Sequence, residues 1–198
     1  MSAETAAEPT DVAETARLAA QGDTSATSRL LRMVTPDMMR VVRGVMSPYA
    51  SDVDDAVQQS LVALIQALPA FRGECAPAGY ACRIAFRTAL GMRKRAQLSR
   101  ARYDNSVDAD LVPDNRSPAH HSDARRRVDI VRNLLDEIPT EQAEALAMRT
   151  MLGWSIEEIA KSSGAPINTV RSRLRLAKEA LRRAIEADPR LAEELGVE

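Results

Sequence analysis

The chain has 198 residues, 45% of them apolar, and a formal net charge of -1, which suits one medium or two small domains with a buried core. Only 3% of residues are aromatic and Gly is scarce, a composition that disfavours strands and points to an all-α fold. No apolar run approaches the ~18 residues of a bilayer span, and "MSAETAAEPT" lacks the basic and apolar parts of a signal peptide, so a cytoplasmic protein without membrane insertion is expected.

In chain order, residues 1–10 read as disordered. A first helix is predicted from about Asp11 to Ala20, ahead of the "QGDTS" turn. Pro36 interrupts the next apolar pattern, which predicts two helices, Ser25–Val34 and Asp37–Met46. "SPYASD" is then a loop. From Asp52 the apolar residues Val53, Val57, Leu61, Leu64 and Leu68 recur on one helical face that Pro69 closes. After the turn-rich "PAFRGECAPAG", a long helix is predicted over Ala78–Arg95, with Ala81, Ile84, Thr88 and Met92 on one face and Arg83, Arg87 and Lys94 on another.

Residues 98–122 have no periodicity and carry Pro113 and Pro118, so they read as an acidic linker between an N-terminal domain over 11–97 and a C-terminal one over 123–187, with a tail over 188–198. The second domain is expected to open with a helix to about Glu137. Thr140 is the predicted N-cap of the next helix and Gly153 its stop. Ser155 and Glu158 then fit the capping box, in which each side chain takes a backbone amide that the helix start leaves unpaired.

Charge is unevenly distributed. Residues 1–60 hold five basic and nine acidic side chains, whereas residues 75–102 hold seven basic ones and no acid. A near-neutral total therefore hides basic faces that suit nucleic acid.

Ala160, Gly164 and Val170 follow the spacing A-x3-G-x5-V. A helix-turn-helix needs a small residue where its helices touch, a glycine for the left-handed turn, and an apolar residue pinning the second helix to the first. That second helix is predicted over Ile167–Ala187, with Val170, Leu174, Ala177, Leu181 and Ile185 turned inward. Asn168, Arg171, Ser172 and Arg175 line the opposite face, where asparagine and arginine pair with base edges in a major groove. Arg173, Lys178, Arg182 and Arg183 lie beside or beyond them and suit phosphate.

The two halves together resemble the extracytoplasmic-function group of bacterial RNA polymerase sigma factors. "DVDDAVQQSLVALIQALPAFRG" resembles that family's polymerase-binding helix, "AGYACRIAFRTALGMRKR" its −10 helix, and "LLDEIPTEQAEALAMRTMLGWSIEEIAKSSGAPINTVRSRLRLAKEALRR" its −35 domain. The resemblance implies that Asp54, Asp55, Gln58 and Gln59 face core RNA polymerase. It implies that Phe71, Arg72 and Tyr80 belong to a loop that catches a base flipped from the −10 strand, with Arg83, Arg87 and Lys94 on its phosphates. It assigns Asn168, Thr169, Arg171, Ser172, Arg173, Arg175 and Lys178 to the −35 element. The linker aspartates Asp104, Asp108, Asp110 and Asp114 would enter a basic channel of the polymerase. Implied partners are core RNA polymerase, promoter DNA and an anti-sigma protein, with no cofactor.

Four residues depart from the family pattern: Gln59 where glutamate is frequent, Tyr80 where tryptophan is usual, and Arg87 and Gly91 where asparagine and aspartate are expected. Read without the family, the residues on the Asp52 helix are polar positions of an amphipathic helix, Tyr80 is a core residue, and the linker is a solvated spacer. A stand-alone helix-turn-helix regulator explains the C-terminal half but leaves the basic helix over 78–95 without a role. An enzyme is disfavoured, because Cys75, Cys82, His120 and His121 offer no metal spacing and no nucleophile, base and orienting group assemble from the sequence.

Overall fold

The computed structural model describes residues 11–46, 51–104 and 132–187, and every element in them is helical. Helix α1 (Val12–Ala20) starts as expected, with the Asp11 carboxylate accepting from the Ala13 amide at 2.9 Å.

Helix α2 (Thr24–Met46) corrects the first expectation, because it runs through Pro36 without a break. Proline removes one amide and frees the carbonyl four residues earlier. Here both Pro36 and Arg32, which carries that carbonyl, lie on the exposed face. Leu30, Val34, Met38, Val41, Val42 and Val45 on the other face are almost wholly buried, so packing holds one continuous rod. Helix α3 (Val53–Ala67) ends ahead of a 3-10 turn (Leu68–Ala70) that contains Pro69. Val53, Val57, Leu64 and Leu68 are buried and Leu61 is half-buried, as the spacing predicted.

Helix α4 (Pro77–Asp104) is longer than the expected Ala78–Arg95. Nothing in "AQLSRAR" breaks a helix, since all but serine are good formers. Its buried face is also rotated from the predicted one. Ala81, Cys82, Ala85, Phe86, Ala89 and Leu90 enter the core, while Ile84, Thr88 and Met92 are half-buried. Alanines at four-residue spacing let α4 lie close against α2 and α3, and fully buried Phe86 alone adds about 1.5–3 kcal/mol of apolar burial.

A helical stretch over 132–135 precedes α5 (Thr140–Met151), α6 (Ile156–Ser163) and α7 (Ile167–Ala187). Pro139, not Thr140, occupies the N-cap of α5, and Thr140 is its first helical residue. Gly153 has a φ of 71° just past the end of that helix, the left-handed stop anticipated there. The expected disordered start, the "SPYA" part of the loop, most of the linker with His120 and His121, and the tail lie outside the described residues.

The two groups of helices meet directly, and their buried side chains join one core. At Gly44 of α2, an added Cβ would overlap the Met151 side chain of α5. At Gly79 of α4, it would overlap the Ser162 Cβ of α6 and lie 2.8 Å from the Ser162 Cα. The approach at Gly79 reaches backbone and needs glycine, whereas the flexible end of Met151 can move aside at Gly44.

Candidate nucleic-acid interface

The helix-turn-helix is assembled as its spacing required. The Ser155 hydroxyl accepts from the Glu158 amide at 3.1 Å and the Glu158 carboxylate accepts from the Ser155 amide at 2.7 Å, so α6 begins with both halves of the capping box. Its carboxyl is held below the usual range first by the hydrogen bond from the Ser155 backbone. Gly164 ends α6 at φ 64°. Ala160 is buried at the crossing, and Val170 at 0% exposure pins α7 beneath it.

This packing turns Asn168, Arg171, Ser172 and Arg175 to solvent along one side of α7, with Lys178 exposed further along and Thr169 and Arg173 half-buried at its flanks. Arg171 donates to Asn168 Oδ1 at 3.4 Å. Arg175 pairs at 2.6 Å with Glu179, a partner the sequence reading did not assign. Both bonds span one turn of an exposed surface, so they orient the guanidinium groups cheaply and release them cheaply.

A second cluster lies at the start of α4. The Phe71 and Tyr80 rings pack with centroids 5.0 Å apart and planes tilted by 50°, and the Tyr80 hydroxyl donates to the Ala67 carbonyl at 3.1 Å. Beside them opens a cavity of about 340 Å³ whose walls include Phe71, Arg72, Cys75, Tyr80 and Arg83, together with Ser163 and Gly164 of the helix-turn-helix. Tyr80 is therefore both half-buried and at a cavity wall.

Arg83 and Arg87 reach toward α5, where Glu144 is 5% exposed. The Arg83 Nε lies 2.5 Å from Glu144 Oε1 as an ion pair without hydrogen-bond alignment, and the Arg87 Nε donates to Glu144 Oε2 at 3.2 Å. Lys94 is half-buried further along the helix. Nothing local in the sequence marks Glu144, because its partners lie far back in the chain.

On α3, Asp54, Asp55, Gln58 and Gln59 are all exposed. Val62 and Ile65, 52% and 44% exposed, extend that face with apolar surface that the sequence reading passed over. Their spacing on the polar side of the helix is the only sequence clue to them. Both cysteines are free thiols. Burial pushes Cys82 up to about 12, and burial also raises Cys75. Among the described residues no helix is long and apolar enough to cross a membrane, and no three His, Cys, Asp or Glu side chains form a metal-holding group.

Comparison with known proteins places these elements. Sigma-70 region 2 matches residues 30–98 and sigma-70 region 4 matches residues 129–181. The chain is 30% identical over 153 residues to the ECF RNA polymerase sigma-E factor of Salmonella typhimurium, covering 71% of this chain and 78% of that one. It is 28% identical over 192 residues to a probable RNA polymerase sigma-C factor of Mycobacterium bovis, covering 93% and 96%. Its fold is similar to that of CnrH, solved in complex with the cytosolic domain of CnrY, at a TM-score of 0.52 and 23% identity over 90% of this chain and 99% of that one.

Proposed function

The chain belongs to the extracytoplasmic-function RNA polymerase sigma factors, and from that premise we propose how its residues divide the family's task of promoter-specific transcription initiation. A sigma factor binds core polymerase and promoter DNA and leaves phosphoryl transfer to the polymerase. This chain is accordingly a selector and not an enzyme.

Asn168, Arg171, Ser172 and Arg175 read base edges of the −35 element, with Thr169, Arg173 and Lys178 on its backbone. The observation that carries this reading is the exposed row on α7, oriented by the Gly164 turn and by buried Val170. Arginine and asparagine at the start of a recognition helix have the donors and acceptors for bidentate base pairing. Phe71 and Tyr80 receive an unstacked base of the −10 strand, with Arg72 beside them, and Arg83, Arg87 and Lys94 track phosphates. Asp54, Asp55, Gln58 and Gln59 face core polymerase, and exposed Val62 and Ile65 extend that contact with apolar area.

A net charge of -1 fits this division. Nonspecific affinity for DNA scales with the phosphates a protein neutralises, and a factor delivered by polymerase has no need of much. An anti-sigma protein is the expected restraint on the free chain.

Run-off transcription with purified core polymerase on fragments of the host genome tests the assignment. Wild type should yield specific transcripts that fade with Arg171→Ala plus Arg175→Ala. No transcript, with the chain binding duplex DNA alone as a dimer, would replace the sigma reading with that of a stand-alone regulator.

A further inference from the structure

We propose that Ile167, in the first turn of α7, is a further specificity residue: its side chain packs on the C5-methyl group of a thymine in the major groove, beside the base edges that Asn168 and Arg171 reach. The inference deepens the assignment of α7 to the −35 element and rests on it.

Ile167 is 40% exposed, and among the described residues it is the one large apolar side chain of α5, α6 and α7 left in that state. Single exposed apolar residues are common on protein surfaces, so exposure decides nothing without place. The place is specific. Ile167 is the first residue of α7, and the Val170 amide donates to the Pro166 carbonyl at 3.1 Å, so the turn holding Ile167, Asn168 and Thr169 is closed and not frayed. Val170, fully buried, fixes that turn to α6. The N-terminal turns of a recognition helix are the part that enters the groove.

Folding does not ask for isoleucine there. An exposed first-turn site gains no core packing, and a β-branched residue is a weaker helix former than alanine or a straight chain. Its stiffness does have a use at a contact. One strongly preferred χ1 rotamer in a helix presents the apolar surface with little freedom left to lose.

The neighbours complete the chemistry. Arg171 stands four residues on, on the same side of the helix, and donates to Asn168 Oδ1 at 3.4 Å. An amide, a guanidinium and a branched apolar group therefore share the first turns of α7. Asparagine suits adenine and arginine suits guanine, but what sets thymine apart in the major groove is its methyl group, which an apolar side chain rewards. Ile167 supplies the complement that the polar row lacks. Thr169 also carries a methyl group, but it is half-buried on the other flank.

The test uses the full-length chain with core polymerase and a duplex carrying the −35 element that this holoenzyme prefers. Each thymine on either strand is replaced in turn by deoxyuridine, which deletes the methyl group and leaves every hydrogen-bonding atom. At one position the replacement should weaken wild-type binding about fourfold, the worth of one buried methyl group. The same replacement should cost the Ile167→Ala holoenzyme less than about twofold, while Ile167→Val should keep most of the wild-type response. Ile167→Ala should not change affinity for core polymerase without DNA.

An element without an A·T pair, tolerance of deoxyuridine at every position, or equal losses in wild type and Ile167→Ala would each overturn the methyl contact. So would weaker binding of core polymerase by Ile167→Ala, which would make Ile167 a protein contact. Arg171→Ala plus Arg175→Ala on the same duplex then locates the failure. If that variant loses the element, α7 still reads −35 and only Ile167 is misassigned; if it binds as wild type does, the −35 assignment falls too.

Discussion

Arg93 and Asp136 form an ion pair at 2.6 Å, with side chains 11% and 13% exposed, directly beneath the C-terminal end of α2. Arg93 also donates to the Val45 carbonyl at 2.8 Å and to the Arg132 carbonyl, while the Arg132 Nε donates to the Gly44 carbonyl at 2.6 Å. The last carbonyls of a helix have no partner within it and carry the negative end of its dipole. Two arginines from different parts of the chain satisfy them here. A residue that charge counting groups with the basic stripe of α4 is thus a structural clamp.

Arg93→Ala should cost about 3 kcal/mol in chemical unfolding, because it leaves a largely buried carboxylate and two carbonyls without their donor. Asp136→Asn should cost less, about 1 kcal/mol, since Arg93 keeps both carbonyl acceptors and the amide keeps the shape. Equal losses in the two variants would show that the ion pair, and not the carbonyl contacts, dominates the clamp.

Local features of this fold were legible in the sequence, and contacts between distant segments were not. The Ser155 and Glu158 capping box, the Gly164 turn and the inward row on α7 each depend on residues within a few turns of one another. The box and the turn match the reading, and of the row Val170, Leu174 and Ala177 are buried while Leu181 and Ile185, beyond the packed part of the helix, are half-buried. Pro36 escapes the local rule that proline breaks a helix because it and Arg32 are exposed while the opposite face is deeply buried. The end of α4 at Asp104 is hidden in the sequence because the residues beyond it have the composition of a linker. Glu144 was invisible for a different reason. A glutamate among alanines on a short helix reads as solvated until folding brings Arg83 and Arg87 across to it.

The capping box makes α6 sensitive to acid. The folded pKa of Glu158 is depressed, first by the hydrogen bond from the Ser155 backbone. A depressed carboxyl contributes fully above its unfolded value and loses that contribution as pH falls through the folded one. Glu158→Gln keeps a side chain able to accept from the Ser155 amide but does not titrate. The Tm advantage of wild type over Glu158→Gln should therefore shrink between about pH 6 and about pH 3. A constant difference across that range would mean that the carboxylate charge adds nothing to the cap.

The proposed division of labour on α7 predicts two distinct kinds of DNA defect. Arg171 sits in the exposed row near the helix start, paired only weakly to Asn168 at 3.4 Å, and is free to turn to a base edge. Arg171→Ala in the holoenzyme should cost about 1–3 kcal/mol on the preferred −35 element and relax the choice of one base pair. Lys178 is exposed two turns further along, where a cation meets backbone. Lys178→Ala should weaken all promoters alike and lower the slope of log affinity against log salt by about one. Selection of promoters from a randomised duplex library by each holoenzyme, followed by salt titration of the winners, separates the two. If Arg171→Ala kept the full sequence preference and changed only the salt slope, Arg171 would belong to the phosphates, and base reading would fall to Asn168, Ser172 and Arg175.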